Sequence, residues 1–395
     1  MVKLADVADT ALGKMLDAAR PKGDLRVPYL RNVNVQWGRV DLAVVLEVPL
    51  SSDEVERFSL TAGDLLVCEG GEIGRAAIWS GCSAYMAYQK ALHRVRSRGE
   101  LDLRYLRYLL EHYANSGTLE ALATGSTIQH LPQQRLRELP VPLPDFTLQS
   151  QIVQILEDHL SRLDAAERLL ANGQQRLESW KRVVLDGLVR ETASGTTRLG
   201  ALVERVEAGR SLGGSAPPAG PDDWGIIKVS AMTWGEFRPH ENKRIPADKA
   251  DPRHEIRPGD VLVSRANTTE YVGAPVYVED TPQRLLLSDK SLRLVPKAGI
   301  DSRWLASVLA ARSTRAQVSG LATGTKDSMR NISQQSLLSV TVPEATPNQQ
   351  TRVVQRAREV EDSARKLRNE IERAELRGRA LHRALLGAAF SGRLT

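Results

Sequence analysis

Two short polar stretches carry the side chains best suited to chemistry. The first is Thr124-Gly125-Ser126-Thr127-Ile128-Gln129-His130, and the second is Thr323-Gly324-Thr325-Lys326-Asp327-Ser328-Met329-Arg330. Hydroxyls, backbone N–H groups near a glycine, and cations bind phosphate oxygens; amides and guanidinium groups read base edges. The same residues also suit a polar turn between helix and strand, but their recurrence at matching places favours binding. A second candidate surface follows a Gly-Asp strand in each half. It carries Glu69, Glu72 and Arg75 in one copy, and Arg265, Asn267 and Thr268 in the other. Arg265 suits guanine and Asn267 suits adenine. Gln36 beside Trp37, with Thr233 beside Trp234, forms a third set, in which the tryptophans are expected in the core. Lys90 and Lys290 form a fourth.

Catalytic signatures do not accompany these groups. The sequence has no GxxxxGK[ST] loop, no HExxH, and no Asp/Asn-Pro-Pro-Tyr/Phe sequence of the kind that holds a flipped adenine. The seven histidines are scattered, and Cys68 and Cys82 form no CxxC pair, so neither a metal nor a cofactor is expected. The cysteines read as two reduced thiols near a core. Gly70-Gly71-Glu72-Ile73-Gly74 reads as a glycine turn between strands rather than a nucleotide loop. Asp222-Asp223 with Glu241 to Lys243 is too ordinary a grouping to indicate a nuclease.

The candidates are placed by a chain that repeats at about 200 residues. Leu122-Ala123-Thr124-Gly125 returns as Leu321-Ala322-Thr323-Gly324. LPQQRLRELPVP from Leu131 returns as ISQQSLLSVTVP from Ile332. Gly63-Asp64-Leu65-Leu66-Val67 returns as Gly259-Asp260-Val261-Leu262-Val263, and Trp37-Gly38 as Trp234-Gly235. The offset drifts from 196 to 201, which implies small loop insertions. Each copy begins with short apolar runs such as 40–49 and 64–68. One amphipathic helix follows, near 103–113 and 304–312, and then the Thr-Gly loop.

Each copy ends in a long proline-free helix, from 147 to about 190 and from 348 to 390. Leu156, Leu163, Leu170 and Leu177 recur every seven residues. In the second helix one seam runs through Ile371, and another through Val360, Leu367 and Leu381. Large residues on one heptad position of each helix predict that the two pair, with small residues allowing close approach. A partner subunit is the rival occupant of these seams. About 40 residues span about 60 Å, the length of a spacer between domains. Residues 351–395 carry eleven Lys/Arg against six Asp/Glu, whereas 147–194 carry six against seven. The basic helix fits a solvated face, DNA phosphate or an acidic partner.

The expected fold class is α+β: two tandem β-rich domains, separated and closed by two long coiled-coil helices. The domains are expected at 1–146 and 195–345, with helices at 147–194 and 346–395. A net charge of +6 favours a polyanionic partner without proving one. No apolar run reaches the roughly 18 residues a membrane helix needs, and the start lacks an apolar leader, so the cytoplasm is expected.

The repeated order of β-rich domain, "TG…QQ.L…PVP" phrase and long helix resembles the type I restriction-modification specificity subunit, HsdS. Lys3-Leu4-Ala5-Asp6-Val7, its echo at Arg198-Leu199-Gly200-Ala201-Leu202, and the ending Leu385 to Leu394 resemble that family's domain starts and C-terminus. The resemblance implies two target-recognition domains, each reading half of a bipartite site on double-stranded DNA, and long helices that pair antiparallel in a pseudo-twofold design. It implies two adenine-methyltransferase modification subunits as partners, with restriction (translocase/endonuclease) subunits able to join. It implies that the chain itself is not an enzyme. A concealed nuclease or methyltransferase, or a coiled-coil adaptor that binds no DNA, are the competing classes.

Overall fold

The strand of each Gly-Asp sequence is apolar at every position because both of its faces are covered. In the computed structural model, which describes residues 1–16, 25–81, 85–125, 129–233, 235–324 and 329–394, Leu65 and Val67 enter one core while Leu66 and Cys68 enter another. The period of two along a strand divides its side chains in this way. Val261 and Val263 are separated from Leu262 by the same rule in the second copy.

These strands are central in two four-stranded antiparallel sheets of identical order. The first runs Ala8–Leu12, Leu92–Ser97, Leu65–Cys68, Ala76–Ile78. The second runs Val203–Ala208, Ser291–Pro296, Val261–Ser264, Pro275–Tyr277. Each copy adds a three-stranded sheet with one antiparallel and one parallel pairing. The fold is α+β. The apolar run at 40–49 is not one strand: Arg39–Val40 and Leu46–Leu50 are separate. Buried Asn34 causes the break, since its amide donates to the carbonyls of Asp41 and Val44, both at 2.9 Å.

Two glycines show how tightly each copy is closed. Gly74 and Gly273 have φ of +75° and +70°, and a Cβ there would lie 2.1 Å from Leu119 and from Val318, respectively. Only glycine combines the left-handed backbone with that approach.

The amphipathic helix Leu103–Asn115 is capped by the Asp102 carboxylate, and Ser302–Ala310 by that of Asp301. Next to each cap a buried glutamine fastens the start of a long helix. Gln149 Oε1 accepts the Asp102 N–H at 2.8 Å, and its Nε2 donates to the carbonyls of Glu100 and Pro144, both at 2.9 Å. Gln350 accepts the Asp301 N–H at 2.8 Å and donates to the Ala345 carbonyl at 2.9 Å.

The long helices are Phe146–Glu191 and Pro347–Phe390. The chain divides into two compact units, 1–171 with 372–395, and 172–371. In the first unit Ile152, Val153, Leu156 and Leu160 share a core with Leu386 and Ala389, and Gly378 approaches Glu167. In the second, Gly173 approaches Ile371 while Val189 shares a core with Val353 and Val354. The paired segments are therefore antiparallel within each unit. Arg368 and Glu178 form an ion pair across the second unit's segments at 2.5 Å.

The heptad reading needs one correction. Leu156 and Leu177 are buried, and Leu163, Leu170, Val360 and Ile371 are half-buried. Leu367 and Leu381 are 52% and 49% exposed, and Ala357 and Ala364 are buried instead. The contact of the second helix therefore follows the row of Ala357, Ala364 and Ile371 rather than the row from Val353 through Leu367.

Replacing Gln149 or Gln350 by Ala leaves a buried N–H and one or more carbonyls without partners. Each change should lower unfolding stability by about 1–3 kcal/mol, read as a lowered midpoint in denaturant titration; an unchanged midpoint would refute the clamp.

Candidate nucleic-acid interface

Backbone hydrogen bonds bring three of the four candidate sets together in each unit. The Thr-Gly loop is closed by a reciprocal pair. Thr124 N–H donates to the His130 carbonyl at 2.8 Å, and His130 N–H donates back at 2.9 Å. Thr323 and Asn331 do the same, both at 2.8 Å. The segment after the central strand lies beside the closed end. Leu131 N–H donates to the Glu69 carbonyl at 2.7 Å, and Ile332 N–H to the Arg265 carbonyl at 3.0 Å. Gly70 bridges His130, while Ala266–Asn267 pairs with Arg330–Asn331. The lysine turn follows: Glu69 N–H donates to the Ala91 carbonyl at 2.9 Å, and Arg265 N–H to the Lys290 carbonyl at 2.8 Å.

In the first unit Thr124, Gln129, His130 and Lys90 are exposed at this edge. In the second, Arg265, Thr268 and Thr323 are exposed and Lys290 is half-buried. Arg265 and the two lysines have no side-chain partner among the described residues, so their charges remain available. Ser126, Thr127, Thr325, Lys326 and Trp234 lie outside the described residues.

Several candidates are engaged internally. The Arg330 guanidinium donates to the carbonyls of Ala322 and Gly324, so it braces the loop rather than reaching outward. The Asn267 carbonyl oxygen accepts the Thr268 N–H at 2.8 Å while its amide nitrogen reaches Ser264 Oγ at 3.3 Å. Both ends of the amide that a bidentate adenine contact needs are occupied. Gln36 donates to the Val33 carbonyl at 2.9 Å and Thr233 to the Val229 carbonyl at 3.1 Å. Each fastens its own turn. Trp37 is not fully buried; its indole N–H donates to Glu72 at 2.5 Å.

Sequence reasoning missed Arg315 and His93 among the groups that hold this edge, and read Arg75 as a reader rather than a brace. Arg315 donates to the carbonyls of Glu270 and Val272 at 3.0 and 2.7 Å, fixing the loop after Thr268; burial lowers its pKa to about 10. Arg75 bonds the Asn32 carbonyl at 2.9 Å and Glu72 at 3.1 Å. The fully buried His93 meets the Leu131 carbonyl at 2.9 Å. Buried Cys68 has its thiol pushed up to about 11, chiefly by desolvation, which makes it an inert core group.

Residues 1–172 match the family described as Type I restriction modification DNA specificity domain. The specificity subunit of the Escherichia coli type I restriction enzyme EcoEI is 32% identical over 148 residues, which cover 37% of this chain and 25% of that protein. The putative type I restriction enzyme MjaX specificity subunit of Methanocaldococcus jannaschii is 26% identical over 149 residues, covering 36% of this chain and 35% of that protein. Residues 1–172 are thus similar to the DNA specificity domain of type I restriction-modification systems. The aligned stretch spans only a quarter to about a third of these two curated relatives.

The fold similarity reaches further. The HsdS subunit of Thermoanaerobacter tengcongensis gives a TM-score of 0.51 at 17% identity, covering 99% of this chain and 96% of that one. A chain from a structure of type I R-M complex assembly and conformational transition gives 0.72 at 17% identity, covering 99% and 97%. Identity at this level speaks for the fold alone. No helix among the described residues is long and apolar enough to cross a membrane.

Burial lowers the His93 pKa from 6.5 to about 4, opposed by its bond to Leu131. The unfolded chain therefore takes up a proton between about pH 6.5 and 4 that the folded chain refuses. Stability of the first unit should fall as pH drops through that window. His93→Gln should lose stability at pH 7 yet show a flatter decline to pH 5 in urea titrations. A wild-type midpoint equal at both pH values would contradict this.

Proposed function

We propose that this chain is the non-catalytic sequence-specificity subunit of a type I restriction-modification complex. Each β-rich unit reads one half of a bipartite site on double-stranded DNA. The long helices set the gap between half-sites and scaffold two adenine-methyltransferase modification subunits, with restriction subunits joining where present. Catalysis and S-adenosylmethionine belong to those partners, and the site of action is the cytoplasm.

The observation that carries this reading is the duplicated edge. The same backbone bonds recur in both units, while the side chains they present differ: Gln129, His130 and Lys90 in one, Arg265, Thr268 and Lys290 in the other. A constant frame with changed contents suits two readers of different sequences. Base-edge contacts are assigned to Gln129 and Arg265. Phosphate contacts are assigned to Lys90, Lys290 and the Thr-Gly loops, including Ser126, Thr127, Thr325 and Lys326. Arg330, Asn267, Gln36 and Thr233 act one step back, by shaping the turns. Residues 1–146 and 195–345 act as the recognition domains in this reading.

Genome-wide adenine methylation compared with and without this gene tests the proposal. Deletion should remove one bipartite methylated sequence, and an unchanged methylome in a strain expressing the complex would refute it. Arg265→Ala should relax one half of that sequence and Gln129→Ala the other, with a cost of about 1–3 kcal/mol at the affected base. The readout is the methylated sequence recovered from each variant strain.

A further inference from the structure

In the first unit the reading edge opens onto a cavity of about 450 Å³ whose far wall is the second long helix. Gln129, Trp37 and the Gly71–Glu72 turn line one side, and Arg379, His382 and Arg383 line the other. Arginines four residues apart share one helix face, and both are exposed. The nearest acid to Arg379 is Glu375 at 3.9 Å, too long for a hydrogen bond, and Arg383 has no partner among the described residues. Three carboxylates also line the cavity. Glu72 is engaged by Trp37 and Arg75, and Glu111 by His382 at 2.8 Å and Arg107 at 3.6 Å; only Glu120 is unengaged. The two arginines therefore outweigh the remaining acid at the mouth.

The second unit keeps only part of this arrangement. At the repeat spacing that relates Gln149 to Gln350, Arg383 and His382 correspond to Arg182 and Lys181, but the counterpart of Arg379 is Glu178. That carboxylate is tied to Arg368 at 2.5 Å and Lys181 at 3.3 Å. The excess positive charge of residues 351–395 thus gains a location: part of it stands across from Gln129.

We propose that Arg379 and Arg383 form a phosphate-binding site for the DNA backbone beside the half-site read by the first unit. The second long helix then contacts DNA as well as bracing the fold, and the two units differ at this face by an arginine against a paired glutamate. This inference rests on the DNA-reading function proposed above.

The test uses the full chain assembled with its modification subunits. Affinity is measured against salt for a duplex bearing the methylated sequence and for a duplex of unrelated sequence. Each phosphate contact contributes about 0.9 to the slope of log affinity on log salt. Arg379→Gln with Arg383→Gln should flatten that slope by about two, equally on both duplexes, without changing the methylated sequence. The control R162Q/R365Q removes the same charge from exposed residues already paired along their own helices with Asp158 and Asp362, and it should leave the slope alone. An unchanged slope in an intact complex would overturn the site. Loss of the modification subunits on gel filtration would also overturn it, by assigning the face to a protein. If the wild-type complex binds neither duplex at low salt, the DNA-reading function itself fails.

Discussion

The two buried glutamines, Gln149 and Gln350, impose the constraint on which the rest of the architecture depends. An amide taken out of water must find partners for its donor and its acceptor. Here those partners lie on the segment leading into the Asp-capped helix and on the segment entering the long helix. The direction in which each long helix leaves its unit is thereby coupled to the recognition frame. Apolar packing alone would tolerate some sliding; a hydrogen-bonded amide at 0–2% exposure does not.

From that anchor the architecture follows in order. The capped helix covers one face of the four-stranded sheet, and the three-stranded sheet covers the other. The central strand, apolar on both faces, is thus held as firmly as any element in the unit. Its C-terminal end carries the segment that bonds the Thr-Gly loop and the lysine turn. The side chains that differ between the two copies hang from this buried strand, an arrangement that suits the proposed reader, whose contents change while its frame does not.

Much of this was legible in the residues. The repeat, the α+β class and the two long helices follow from spacing and composition. The adjacency of the three candidate sets was not, because it depends on backbone bonds between segments some 60 residues apart. Nor was the internal engagement of Arg330 and Asn267, since an exposed reader and a loop brace share one alphabet. Gln149 and Gln350 were visible in principle as glutamines repeated at the duplication offset, but polar residues near a helix start suggest solvent rather than core. The Leu367 and Leu381 seam failed for a different reason: the second helix carries two rows at seven-residue spacing, and the one with the small residues Ala357 and Ala364 is the one that is buried.

The reciprocal bonds that close each Thr-Gly loop enclose five residues in one copy, 125–129, and seven in the other, 324–330. Closure in both cases rests on a reciprocal main-chain pair, to which the second copy adds the Arg330 guanidinium. The entropic difference between closing five and seven residues is only about 0.3 kcal/mol. Loop length is therefore a nearly free variable, separate from loop composition. Related chains can change how deeply a loop reaches as well as what it carries, and specificity can drift by insertion and deletion without disturbing the sheet beneath.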